Sequence, residues 1–114
     1  MKKEIPLQRS NRLINSGQVI LVSSCYKDKT NIITLAWSSP LSHKPPLLGI
    51  SVAKTHLSCE LIKKSKEFVV NIPFENQIDL VRKCGSISGW EVDKFKEFKI
   101  EKEDAKRVRT PRIK

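Results

Sequence analysis

A chain of 114 residues with 39% apolar and 30% charged content has the make-up of one globular domain, not of a disordered segment. Its longest apolar run, Val19–Val22, is too short to cross a bilayer, and Met1-Lys2-Lys3 leads into Glu4 and Pro6 with no apolar stretch of leader length, so the expected location is the cytoplasm. The formal charge of +10 favours anionic partners, while the 3 widely spaced cysteines (Cys25, Cys59 and Cys84) contain no CxxC pair and argue against a disulfide framework, a zinc ribbon or a thioredoxin-type site.

Residues 1–17 are polar and mixed, and the cluster Asn15-Ser16-Gly17 is a turn signal. Gln18–Ser24 reads as a first strand. Tyr26–Thr30 reads as a charged turn, and Ile32–Trp37 as a second strand in a hairpin with the first. Ser38–Pro46 holds Pro40, Pro45 and Pro46 and no helical period, which predicts a loop. Leu47–Ala53 is a third strand.

Thr55 then predicts the N-cap of a helix carrying Leu57, Leu61 and Ile62 at helical spacing, with Lys63, Lys64 and Lys66 toward its end. Phe68–Ile72 is a fourth strand, stopped by Pro73. Glu75–Cys84 is a second helix, and Gly85 suits the position just after it. Glu91–Phe98 is expected to form a short helix or turn that buries Phe95. The tail concentrates positive charge in Lys106, Arg107, Arg109, Arg112 and Lys114, the pattern of a solvated run. Short helices among strands joined without crossovers predict an α+β, mainly β domain whose strands pair antiparallel and curl toward a barrel.

The chemistry concentrates where the second and third strands end. Ser51, Lys54, Thr55 and the amides of His56 and Leu57 can converge on one anion at a helix start. Thr34, Leu35, Ala36 and Trp37 offer an apolar shelf and backbone donors beside it. A phosphate grip next to a flat shelf suits a phosphorylated, ring-bearing cofactor, with flavin mononucleotide (FMN) as the expected one. Each residue also has a plainer role open to it: Thr55 as a helix cap, Trp37 as core, Lys54 and His56 as solvated surface. Neither histidine has the neighbours for a metal set or a Ser-His-Asp triad, so no metal ligand and no catalytic side chain is assigned.

Several segments, in this order, resemble the flavin reductase-like family of FMN-binding split-barrel proteins, which includes the flavoredoxins. They are Asn31-Ile32-Ile33-Thr34-Leu35-Ala36-Trp37, Ser39-Pro40-Leu41-Ser42, Pro45-Pro46, Gly49-Ile50-Ser51-Val52 with Thr55, Glu67-Phe68-Val69-Val70-Asn71-Ile72-Pro73, Cys84-Gly85, Ser88-Gly89 and Asp93-Lys94-Phe95. The resemblance implies an antiparallel split barrel, a homodimer, and FMN bound close to the subunit interface. It further implies that Thr34–Trp37 face the isoalloxazine and ribityl chain, that Ser51, Val52, Ala53 and Thr55 line the ribityl and phosphate, and that the loop from Cys84-Gly85 to Gly89 reaches the flavin region. Asn71 is expected to tie loops together, and Asp93-Lys94-Phe95 to be structural.

The implied activity passes electrons from NAD(P)H through FMN to free flavin, a ferric complex or a redox partner. Family members run on for several strands after a segment like Val108–Ile113, so the barrel is expected to be incomplete at its C-terminus. Two other functions stay open at this point. One is a non-catalytic remnant that keeps the dimer core. The other is a small basic nucleic-acid-binding β-protein, although Tyr26, Trp37 and Trp90 lie outside any basic run.

Overall fold

The computed structural model describes residues 1–14 and 17–114. The turn signal at Asn15-Ser16 therefore falls outside the described residues. The chain opens on α1 (Leu7–Ile14), a helix that its polar composition had not announced. The strands β1 (Ile20–Tyr26) and β2 (Lys29–Leu35) follow. They pair antiparallel from Ile20↔Leu35 to Tyr26↔Lys29, which tightens the expected five-residue turn to Lys27-Asp28. Lys27 takes up the left-handed conformation (φ 55°) that a two-residue hairpin turn demands.

Ser38–Pro46 is not the expected loop. Ser38–His43 is a strand, β3, paired antiparallel with β4 (Pro46–Ile50). The prolines misled because they were read as breakers of any strand. Among the described residues β3 has a single neighbour, the register shifts between Pro40 and Ser42, and Pro46 opens β4, so each proline sits where no ladder hydrogen bond is demanded of it. Next come α2 (Leu57–Ser65), the short β5 (Val69–Asn71), a 3₁₀ turn at Glu75–Gln77, and α3 (Ile78–Ser86). The chain closes with α4 (Lys94–Glu97) and a two-stranded pair, β6 (Lys102–Glu103) and β7 (Arg112–Ile113). All pairings are antiparallel, in the orders β2-β1-β5, β3-β4 and β6-β7. Among the described residues, no helix is long and apolar enough to cross a membrane.

The central sheet is buried on both faces, which explains why β1 begins as an unbroken apolar run and not as an alternation. One face holds Ile20, Val22, Ile33 and Leu35 against Ile50, Val52, Ile62, Phe68 and Val70. The other holds Leu21, Ile32, Cys84 and Phe95 against Leu80, Val81, Phe98, Ile100 and Ile113. Between sheet and α2, the buried Asn31 amide donates to the Ser58 hydroxyl at 3.0 Å. Gly89 crosses close above: a Cβ there would lie 2.4 Å from Asn31 Oδ1, so only glycine lets that loop approach the sheet.

Polar side chains fasten the last residues to the sheet. Glu67 Oε1 accepts from the Arg109 and Thr110 amides and the Thr110 hydroxyl at 3.0, 2.9 and 3.1 Å. Ser23 Oγ donates to the Pro111 carbonyl at 2.6 Å. Asn71 ties segments together as expected, donating to the Leu21 carbonyl at 3.0 Å and accepting from the Ile113 amide at 2.9 Å. Glu67→Ala removes the acceptor common to three of these bonds. It is expected to cost about 2 kcal/mol, the scale of losing hydrogen bonds to a charged group. The expected readout is a lower denaturant midpoint, with amide exchange faster at Arg109 and Thr110 than in the central sheet.

Candidate functional site

β2 ends at Leu35 and the chain continues through Ala36 and Trp37. There the Ser51 amide, just past β4, donates to the Trp37 carbonyl at 3.0 Å. That bond joins the exits of β2 and β4 and builds one wall of a cleft of about 830 Å³. Thr34, Leu35, Ala36 and Trp37 line one side of it, and Ser51, Ala53 and Thr55 another. Cys84 and Gly85 at the end of α3 close a third.

Nine of the eleven residues singled out from the sequence thus meet in a single cavity. Val52 and Lys54 do not. From Ser51 to Thr55 every second residue faces the cleft, so Val52 turns inward onto the Ile20–Leu35 core and the exposed Lys54 turns away. The sequence had singled out these two along with their neighbours, without the alternation that divides them.

Thr55 is not the helix cap. α2 begins at Leu57 with His56 in the N-cap position, in extended conformation and without a side-chain capping bond. A turn precedes it, closed by the His56 amide donating to the Ala53 carbonyl at 3.1 Å. The Trp90 indole N–H donates to the Thr55 carbonyl at 3.0 Å, which anchors the turn to the loop after α3. Among the described residues nothing hydrogen-bonds to the Ser51 or Thr55 hydroxyl. Both side chains are exposed on the cleft wall at the start of a nine-residue helix, where unspent donors and a partial positive charge favour an anion.

Trp37 is not core either: it is 51% exposed and borders the cavity. Thr34 spends its hydroxyl proton on the Val81 carbonyl at 2.7 Å, so it fixes α3 to β2 more than it offers a donor. Gly85 lies inside α3, which runs to Ser86, and not beyond its end. A Cβ there would stand 3.3 Å from Thr34 Cβ, so the glycine permits the helix to lie close on the strand. Cys84 is buried, and burial pushes its thiol pKa up, which keeps it protonated and unreactive at neutral pH.

Of His56 the sequence had offered the amide to the anion, but the structure spends it on the Ala53 carbonyl; to Ile33, Ser86, Ile87, Ser88 and Lys94, which the cleft also contains, sequence reasoning assigned no individual cofactor role. The loop after Gly85 had at least been expected near the cofactor. Lys94 had not, and it differs most from the surface residue its type suggests. It is 3% exposed, and its ammonium donates to the carbonyls of Ile32 at 2.9 Å and Cys84 at 2.7 Å. Burial pulls its pKa down from the usual lysine value. The signal was its place beside Phe95, the buried anchor of α4, but a lysine next to an anchor is exposed far more often than not.

Residues 12–114 match the family described as the flavin reductase like domain. An uncharacterised protein of Archaeoglobus fulgidus is 34% identical over 87 residues, which make up 76% of this chain and 49% of that protein. Among solved structures, flavoredoxin from Methanosarcina acetivorans is similar with a TM-score of 0.81 at 30% identity, covering 100% of this chain and 59% of that one. An FMN-binding domain of a flavin reductases-like enzyme from Shewanella baltica is similar with a TM-score of 0.80 at 27% identity, covering 96% and 58%. The chain spans 49% of that curated relative's length and less than two thirds of either solved structure's.

Proposed function

This chain belongs to the flavin reductase like domain family and has its antiparallel split-barrel fold; on that premise we propose that the cleft binds FMN. The proposed activity is electron transfer from NAD(P)H through that flavin to free flavin, a ferric complex or a redox partner in the cytoplasm. The observation that carries the proposal is the pair of unspent hydroxyls, Ser51 and Thr55, at the start of α2 and on the same cavity as Trp37.

The residues present fit the group. Ser51, Thr55 and the first amides of α2 would hold the phosphate, and Ala53 would border the ribityl chain. Leu35, Ala36 and Trp37 would flank the ring, with Cys84 and Gly85 behind it. When bound, FMN supplies the hydride and electron chemistry. The chain's own contribution is to hold the phosphate end, to keep the ring against the β2 exit, and to exclude water with the apolar part of the cleft lining, Ala36, Trp37 and Ile87. No side chain of the cleft needs to act as acid or base.

A homodimer is part of the same proposal. Trp37, Leu41, Leu47 and Leu48 expose 51%, 66%, 52% and 44% of their surface at the β2 exit and on the β3–β4 hairpin. Apolar exposure of that kind next to a cofactor cleft suits coverage by a second copy. The test is the visible spectrum of purified protein before and after FMN addition, followed by anaerobic NADH or NADPH. The proposal expects flavin bands that comigrate with the protein and bleach with one of the two nucleotides. Protein that stays colourless in excess FMN would overturn it.

A further inference from the structure

The turn from Ala53 to His56 carries the Thr55 hydroxyl to the cleft, and little holds it there. All four of its residues are exposed, and it adds no side chain to either face of the core. It closes on one local bond, from the His56 amide to the Ala53 carbonyl at 3.1 Å. Among the described residues, one side-chain hydrogen bond reaches it from a distant part of the chain: the Trp90 indole N–H donates to the Thr55 carbonyl at 3.0 Å, across 35 positions.

The donor is itself fixed. The Trp90 amide donates to the Ser88 hydroxyl at 3.2 Å, and the Glu91 and Val92 amides donate to the Ser88 carbonyl at 3.1 and 3.3 Å, so the loop folds upon itself around the tryptophan. Gly89 presses that loop onto Asn31, whose amide donates to Ser58 in α2. The Lys29 ammonium, at the start of β2, stands 5.4 Å from the centre of the indole, within range of a cation–π attraction. Trp90 is therefore a strut. Its base rests on the central sheet and its tip carries the backbone of Thr55.

Trp90 does not line the cleft; it borders a separate depression of about 230 Å³ with Lys29 and Leu57. The residue is 52% exposed, so its directed N–H sets it apart more than its packing does. A hydroxyl that meets an anion binds best when its backbone is set before the ligand arrives, because ordering a loose turn on binding subtracts from affinity. Resting on the flavin reading above, we propose that Trp90 is the positioning residue of the phosphate site: its indole N–H presets the Thr55 turn and so enlarges the preference of this cleft for a phosphorylated flavin over an unphosphorylated one. It acts through Thr55 and touches no part of the ligand.

The test is equilibrium binding of FMN and of riboflavin, followed by flavin fluorescence, to the unaltered chain, to Trp90→Phe, to Thr55→Val and to the double variant. Phenylalanine keeps an aromatic ring beside Lys29 and removes the N–H. W90F is expected to weaken FMN binding about fivefold to tenfold, the upper part of what one neutral hydrogen bond contributes, and to change riboflavin binding by less than about twofold. In the T55V background the same change is expected to cost less than about twofold for FMN, because the hydroxyl that Trp90 positions is gone. Equal losses for the two flavins overturn the proposal. So does a full second loss in the double variant, which would place the effect of Trp90 outside Thr55.

If W90F does not fold, the unaltered protein decides through hydrogen exchange at the indole nitrogen, read by NMR without flavin. The Trp90 N–H is expected to exchange at least about tenfold more slowly than that of free tryptophan. An indole that exchanges as fast as free tryptophan carries no strut, and the proposal falls. Unaltered protein that binds no FMN, or binds it no better than riboflavin, removes the reading of the cleft together with this proposal. FMN bound equally well by W90F and by the unaltered chain removes the role of Trp90 alone.

Discussion

Ser51→Ala combined with Thr55→Val is expected to weaken FMN binding on the order of a hundredfold to ten-thousandfold while leaving the fold intact. A hydrogen bond from a neutral hydroxyl to a charged phosphate contributes about 1.5–3 kcal/mol, and each 1.4 kcal/mol is a factor of about ten in affinity. Both side chains are exposed and neither hydroxyl bonds within the described protein, so their loss breaks nothing in the free chain. The unfolding midpoint should therefore stay put while flavin-fluorescence titrations move. Riboflavin, which lacks the phosphate, is the internal control: its affinity should change little between the variant and the unaltered protein. Equal losses for both flavins would mean that the two hydroxyls meet some other part of the ligand.

Ile32→Ala is expected to be the most damaging single substitution in the fold. Ile32 is 0% exposed at the middle of β2, packed with Leu21, Cys84 and Phe95, and paired across the sheet with Ser23. Truncating a buried isoleucine costs about 2–5 kcal/mol through lost transfer energy and the cavity left behind. Domains of this size are commonly stable by only about 5–15 kcal/mol, so a large share of the total goes. The residue also supplies a carbonyl to Lys94, so any shift of the strand reaches the cleft wall. Urea unfolding is the readout, with Ile32→Val as the mild comparison at about 1 kcal/mol.

The central hairpin was legible because its apolar runs are long and β-branched, and because a strand buried on both faces needs no alternation. The same logic recovered α2 from Leu57, Leu61 and Ile62, of which the first and second are buried and the third packs on the core. β3 was not legible: its prolines break a central strand but not one with a single neighbour, and the sequence does not say how many neighbours a strand has. The start of α2 was misplaced by one residue, since a threonine before an apolar helical pattern reads as a cap. Here a tight turn held by Trp90 intervenes.

The cleft was legible in outline because its walls are the ends of consecutive elements. Its finer composition was not. Val52 and Lys54 are separated from Ser51, Ala53 and Thr55 only by the direction in which each side chain leaves the backbone. Gly85 fell inside α3 for a reason visible only in three dimensions, the nearness of Thr34. Lys94 is invisible from sequence because the carbonyls that hold it belong to residues 62 and 10 positions away.

The central claim is that the exits of β2 and β4 and the start of α2 form a flavin mononucleotide site. Equilibrium titration of the purified chain with FMN, followed by quenching of flavin fluorescence, tests it most directly. One flavin per chain with a dissociation constant of about 1 μM or tighter is the expected result. Flavin fluorescence that stays undiminished with protein in large excess would contradict it.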